Sequence, residues 1–474
     1  MVFSSLTFLF FFLPAVLIIY YISPRPLKNA VLLAVSLFFY AWGEPVYIAL
    51  MIFSAVADYW IGRYIGRYRE HRPALAKTGL IASLTVNLAV LSFFKYADFL
   101  VGSVNAAART DFQPLDLPLP IGISFYTFQT MSYAIDVYRG KVRPQRNIIT
   151  FALYVSLFPQ LIAGPIVRYE EIERELMHRK TTVSQFANGA RLFTIGLGKK
   201  VLIANQAGQL WTSIQGQGAD ELSVLSAWLG ITAFALQIYF DFSGYSDMAV
   251  GLGRMFGFEF PQNFNYPYIA RSASEFWRRW HMTLGGWFRD YVYIPLGGSR
   301  RGKWALYRNL VIVWGLTGLW HGASWNFVLW GLYFGVLIAA ERAGLLRFLE
   351  RLPAVVQHLY LLLAVLFSWV LFVFEDIRDG WQFARVMLGF SGRPFADSAF
   401  LYDAYTNGLL LAAAAVLSTP LGAYTWKRRT ESSRLLGKEP VQLVVQTAFL
   451  VVILMLATAY LVDDAFNPFL YFRF

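Results

Sequence analysis

No cysteine occurs in the 474 residues. That excludes disulfides, thiolate metal sites and a cysteine nucleophile, and leaves the compartment open. Charge is scarce as well. Only 15% of residues are Asp, Glu, Lys or Arg, where a soluble domain carries about 25%. Regular apolar–polar alternation over about ten residues per strand is missing, which argues against an outer-membrane barrel. The chain has no GxSxG, no P-loop, no GxGxxG with a following acidic residue, and no HExxH or HxxxH. Hydrolase, ATPase, dinucleotide-binding and zinc-protease readings are weakened accordingly, and no metal site is expected. No nucleic-acid recognition motif appears either. The net charge of +12 is then read as cytoplasmic loops facing anionic lipid, not as a nucleic-acid surface.

What is present is apolar and aromatic: 57% hydrophobic residues, 18% Phe, Trp and Tyr, and a mean hydropathy of +0.47. Several apolar runs approach 20 residues, so the fold class is an all-α polytopic membrane protein, with about 10 or 11 spans at roughly 20 residues each. The first run, residues 3–21, has its first basic side chain, Arg25, after it and no small-residue cleavage site. It reads as a retained helix and not as a signal peptide. The basic stretches 24–28, 63–77 and 139–146 are expected on the cytoplasmic side, which puts the N-terminus outside. Residues 148–167 contain Phe158-Pro159-Gln160 and Gly164-Pro165. They are expected to form a re-entrant or broken segment, tolerable only where protein or water covers the backbone. No internal repeat and no soluble domain is evident, so 1–474 reads as one membrane domain.

Polar groups inside the apolar runs carry the functional signal. Residues 186–205 hold Lys199-Lys200, which makes them a poor span, and residues 222–253 hold Asp241 and Asp247 toward their end. The two carboxylates read either as helix-end residues at the interface or as lining for a polar cavity. Residues 263–307 contain no clear span. There Ser272-x-x-Glu275 fits a capping box. Trp277, His281, Leu284 and Phe288 then fall on one helical face, as in an amphipathic helix lying at the cytoplasmic interface. The central block is Trp320-His321-Gly322-Ala323-Ser324-Trp325-Asn326, flanked by apolar sequence on both sides. An ionisable group at membrane depth is costly and usually functional. Imidazole also takes and returns protons near neutral pH. His178, among solvated charges, and His358, opening an ordinary apolar helix, are expected to be structural.

The Trp-His-Gly-Ala-Ser-Trp-Asn block at 320–326, the Glu-Phe-Trp-Arg-Arg-Trp-His block at 275–281 and the Phe-rich opening together resemble the membrane-bound O-acyltransferases. The resemblance is to the bacterial branch that modifies alginate, peptidoglycan and teichoic acid, and it runs nearly the whole chain. It implies helices around a central tunnel, with residues 159–168 and 237–246 in the tunnel walls. It also implies His321 as the family's invariant histidine and His281 as its second. The implied chemistry is acyl transfer to a hydroxyl from a thioester, acetyl-CoA, used as substrate with no bound cofactor. His321 would act as base. Oxyanion or tunnel support would come from His281, the Gly322 N–H, Asn326, Trp320, Trp325, Gln237 or Asp241. Arg278 and Arg279, with Arg300 and Arg301, are candidates for the CoA phosphates, though ordinary positive-inside charge explains them equally well. The acceptor would be an extracytoplasmic polysaccharide reached through an exported partner, with the protein in a bacterial inner membrane. The ending Phe469-Leu470-Tyr471-Phe472 resembles an acyl-relay motif, making Tyr471 the candidate relay. D-alanylation of teichoic acid, peptidoglycan acetylation and, in another class, a transporter that forms no covalent bond are the competing readings.

Overall fold

The computed structural model describes residues 2–432, 438–463 and 470. Among the described residues there is no β-strand. Among these residues eight helices are long and apolar enough to cross a membrane, so the chain is a multi-pass, all-helical membrane protein. It packs as two units, Met1–Phe193 with Tyr245–Pro261, and Thr194–Gly244 with Gln262–Phe474.

The first unit begins with α1 (Phe8–Ile22), α2 (Lys28–Gly43) and α3 (Ile48–Tyr68). Next come α4 (Pro73–Ala108), α5 (Ile123–Arg139), α6 (Ile148–Ser156), α7 (Phe158–Leu161) and α8 (Tyr169–His178). Gly43-Glu44-Pro45 separates α2 from α3, as the sequence suggests. The break in residues 148–167 also occurs where expected, at Leu157, ahead of Pro159. α3, α4 and α5 pack together and hold a buried polar cluster among them. The Asp58 carboxylate accepts from the Ser83 hydroxyl at 2.5 Å and from Asn87 Nδ2 at 2.7 Å, and Asn87 Oδ1 accepts from Thr130 at 2.7 Å. In hydrocarbon such groups must find partners within the protein.

The second unit holds more than half of the chain's aromatic residues. α9 (Val183–Gly198) passes through a wide π turn, Lys199–Ala204, into α10 (Asn205–Gly216). The lysine pair does not end the helix, because Lys200 is buried against a carboxylate. α11 (Val224–Met255) runs straight through Asp241 and Asp247. Asp241 is therefore a mid-helix residue and not a helix end. The second unit shares α9 and α11 with the first, which takes α9 up to Phe193 and α11 from Tyr245. α12 (Ala273–Trp277) and α13 (Met282–Phe288) are short, and α14 (Gly302–His321) and α15 (Trp325–Ala340) form an antiparallel pair. α16 (Leu346–Leu349), α17 (Ala354–Val373), α18 (Ile377–Met387), α19 (Ser398–Leu417), α20 (Leu421–Ser432) and α21 (Glu439–Asp463) complete the unit.

Two differences from the sequence reading have physical causes. The first is the span count. α1 and α5 are too short to be counted among the eight, and α14 carries Lys303, Arg308 and Asn309 in its first half. The second is the amphipathic helix expected across Ser272–Phe288. Its start is as read, since the Ser272 side chain accepts from the Glu275 N–H at 3.1 Å. It does not continue on one face: it stops after Trp277, and His281 adopts the left-handed region with φ +45° before α13 begins. Trp280, Leu284, Trp287 and Phe288 are all buried, so this stretch belongs to the core of its unit.

Candidate active site

His321 is the last residue of α14, and Gly322 leaves the helix in an extended conformation with its N–H donating to the Gly318 carbonyl at 3.3 Å. Gly322 must be glycine for a local reason. A Cβ there would run into the ring of Phe327 in the first turn of α15. Further along, a Cβ on Gly331 would strike the Trp314 carbonyl, so α14 and α15 meet backbone to backbone, the close approach that small residues permit between membrane helices. This hairpin drives the His321 imidazole into an aromatic box. Ring centroids lie 4.8 Å away for Trp330, 5.0 Å for Trp320 and 5.8 Å for Phe372, and only 1% of the residue is exposed.

His281 is held differently. Its ring packs edge-on to Phe242 at 4.8 Å and lies 5.7 Å from Trp320. Both histidines therefore border the same indole. The His281 backbone sits where a non-glycine residue costs about 1–3 kcal/mol, and Asn263 holds it there. The Asn263 carbonyl accepts the Met282 N–H at 2.9 Å. Its side-chain Oδ1 accepts the Thr283 N–H at 3.3 Å and the Thr283 hydroxyl at 2.9 Å, and lies 3.1 Å from His281 Nδ1. An oxygen that already accepts a backbone N–H fixes the tautomer. Nδ1 carries the proton and donates, and Nε2 keeps the lone pair. Complete burial pushes the His281 pKa down to about 3, so the ring is neutral.

The other anticipated residues separate into groups. Trp320 and Asn326 are buried in this region. The Asn326 amide donates to the Leu371 and Phe372 carbonyls at 3.3 and 3.5 Å and so fastens α15 to the end of α17. Trp325 is exposed. Gln237 and Asp241 are buried one turn apart on α11. Asp241 Oδ1 pairs with Lys200 at 2.8 Å, and its Oδ2 accepts the Leu470 N–H at 2.9 Å. A carboxylate engaged in this way accepts; it does not donate to an oxyanion. Arg278 is exposed, whereas Arg279 is committed to Glu275 at 2.9 Å and to the Asn265 carbonyl at 3.2 Å. Tyr471 lies outside the described residues. His358 Nδ1 sits 3.1 Å from the Ala270 carbonyl, a structural contact.

Sequence reasoning missed Asn263, Lys200 and Glu341. Buried Glu341 accepts the Ala273 and Ser274 N–H groups at 2.6 and 2.9 Å, capping α12 from the end of α15. Each is a polar residue at the edge of an apolar or aromatic run, and that was the available signal.

The chain is therefore a helical membrane protein with two buried histidines against one tryptophan, and the comparison with known proteins gives this arrangement its class. The model of the membrane-bound O-acyltransferase family matches residues 142–378, and the chain belongs to that family of enzymes. It is 43% identical over 407 residues to a probable alginate O-acetylase, AlgI, of Azotobacter vinelandii, covering 84% of this chain and 80% of that one. A probable alginate O-acetylase of Pseudomonas putida is 39% identical over 498 residues, spanning 100% of both chains. A peptidoglycan O-acetyltransferase of Helicobacter pylori is 34% identical over 427 residues, covering 83% of this chain and 80% of that one.

Proposed function

We propose that this O-acyltransferase takes an acetyl group from cytoplasmic acetyl-CoA and delivers it across a bacterial inner membrane for O-acetylation of an extracytoplasmic polysaccharide. An exported partner completes the transfer. The observation that carries the reading is the pair His281 and His321 bordering Trp320, in a chain that aligns over most of its length with alginate O-acetylases.

His321 serves as general base. The attacking hydroxyl gives its proton to the imidazole as its oxygen bonds to the thioester carbonyl carbon. The tetrahedral oxyanion collapses, the C–S bond breaks, and the sulfur leaves with the proton returned by the imidazole as CoA thiol. A positioned base of this kind contributes about 10²–10⁴-fold. The tautomer of His281 gives it a separate task. With Nδ1–H turned to Asn263, its Nε2 accepts, so it orients a hydroxyl and does not stabilise an oxyanion. The Gly322 N–H and the Asn326 amide are each engaged elsewhere. Oxyanion donors are thus sought in the substrate or in main-chain groups beyond these two. Arg278, exposed at the end of α12, is the stronger candidate for the CoA phosphates. Tyr471 is the relay that carries the acetyl group to the exported partner, with the N-terminus on the extracytoplasmic side.

The test is reconstitution in vesicles with acetyl-CoA on one side and alginate plus an exported acetyltransferase on the other. Radiolabel on the polysaccharide supports the reading. Label only on peptidoglycan fragments would move the acceptor to that glycan, as the Helicobacter pylori relative suggests. No label on any glycan, with the donor consumed, would sink polysaccharide acetylation.

A further inference from the structure

We infer that Asp241, paired with Lys200, is a positioning residue that anchors the main chain at Leu470, the residue that precedes Tyr471 in the sequence; the functional value of this anchor rests on the relay reading above. The π turn at Lys199–Ala204 adds a residue to the helical register and turns the Lys200 side chain inward, where Nζ meets Asp241 Oδ1 at 2.8 Å with both side chains almost fully buried. π turns of this kind occur often at functional sites. A buried ion pair is poor evidence for stability on its own, since well-packed apolar residues commonly do as well. What the pair provides here is an acceptor. A carboxylate has two oxygens, lysine takes one, and the second receives the backbone N–H of Leu470 at 2.9 Å, 229 positions along the chain.

Two further observations agree. α21, which precedes this segment, packs against the π turn, where a Cβ on Gly198 would lie 2.8 Å from Ile453 Cγ2. α21 therefore lies beside the same turn that carries Lys200. Gln237, one turn before Asp241 on α11, is also buried, and its Oε1 has no donor among the described residues. The anchor fixes Leu470 by its main chain, and the next residue in sequence is Tyr471.

The test separates the acceptor from the charge. In the full chain, Lys200→Met with Asp241→Asn and Lys200→Met with Asp241→Leu have the same charge and nearly the same shape at 241. Only the asparagine variant keeps an oxygen for the Leu470 N–H. Hydrogen–deuterium exchange of the peptide containing Leu470 is expected to be faster in the leucine variant, by on the order of tenfold, the worth of one buried hydrogen bond. Equal exchange in the two variants would overturn the anchor. Should the leucine variant not fold, Leu470→Pro removes the N–H and leaves the buried pair intact. Asn467→Cys, the sole cysteine in the chain, would then react faster with maleimide in the proline variant, and an unchanged rate would overturn the proposal. Tyr471→Phe keeps slow exchange at Leu470 whatever its activity. Full glycan acetylation by that variant would remove the relay and leave the anchor standing.

Discussion

The two histidines of the site are immobilised by opposite means. His321 ends a regular helix, and its position comes from packing: three aromatic rings around it and a glycine contact that no other residue could make. His281 interrupts helical structure in a strained left-handed conformation, and its position comes from hydrogen bonds centred on Asn263. Packing against rings sets the place of an imidazole by its faces and edges. Hydrogen bonding fixes a tautomer and points one lone pair. The first suits a group that must exchange a proton, the second a group that must orient a partner. Strain of this kind persists only where the surroundings over-determine it, and Asn263 supplies three of the contacts that do so.

The contrast is broken most forcefully at His321. His321→Ala is expected to lower acyl transfer by about 10²–10⁴-fold, read by CoA release well below the melting temperature in detergent, which the cavity left among Trp320, Trp330 and Phe372 also lowers. Asn263→Ala is next. It leaves three donors of the 281–283 stretch, the His281 Nδ1–H and the Thr283 N–H and hydroxyl, without their acceptor, costing about 1–3 kcal/mol each at most. Misplacement of His281 should lower turnover by about 10²-fold. If the variant unfolds at the wild-type temperature with wild-type turnover, Asn263 does not hold His281. Gly322→Ala tests the packing side. It overpacks against Phe327 and should cost about 1–3 kcal/mol, lowering the melting temperature, with partial recovery on adding Phe327→Leu.

Acid should act on the hydrogen-bonded histidine. Its folded pKa of about 3 lies below the reference value of 6.5. The unfolded chain therefore binds a proton between these values that the native protein does not. Stability is full above pH 6.5 and falls as pH drops from 6.5 toward 3, by up to about 1.4 kcal/mol per pH unit. Melting temperatures should decline less steeply with acid in His281→Gln than in the wild type. The smallest effect is expected at the arginines. Arg278→Ala should raise the donor KM about two- to fivefold. Arg279→Ala, which removes only the pair with Glu275 and the contact to Asn265, should leave that KM unchanged.

Much of this was legible in the sequence. Apolar runs, the Gly43–Pro45 break and Pro159 located the helices and their interruptions, because these are local preferences. The two histidine blocks marked the residues that the structure brings against the Trp320 indole. The geometry around His281 was not legible. The pattern Trp277, His281, Leu284, Phe288 has helical spacing, but Trp280 and Trp287, off that face, are buried too, and burial of Trp280 and the bond to Asn263 overrode the local periodicity. Asp241 and Lys200 looked like defects in two separate helices. Only their tertiary pairing turns them into one neutral unit, and no local rule couples positions 41 residues apart.

The most direct test of the account is a single-turnover reaction of purified wild type and His321→Ala with radiolabelled acetyl-CoA, following CoA release and label together. The account predicts that CoA release and acyl label both vanish in the variant while its fold persists. Undiminished CoA release from His321→Ala would place the chemistry elsewhere and contradict it.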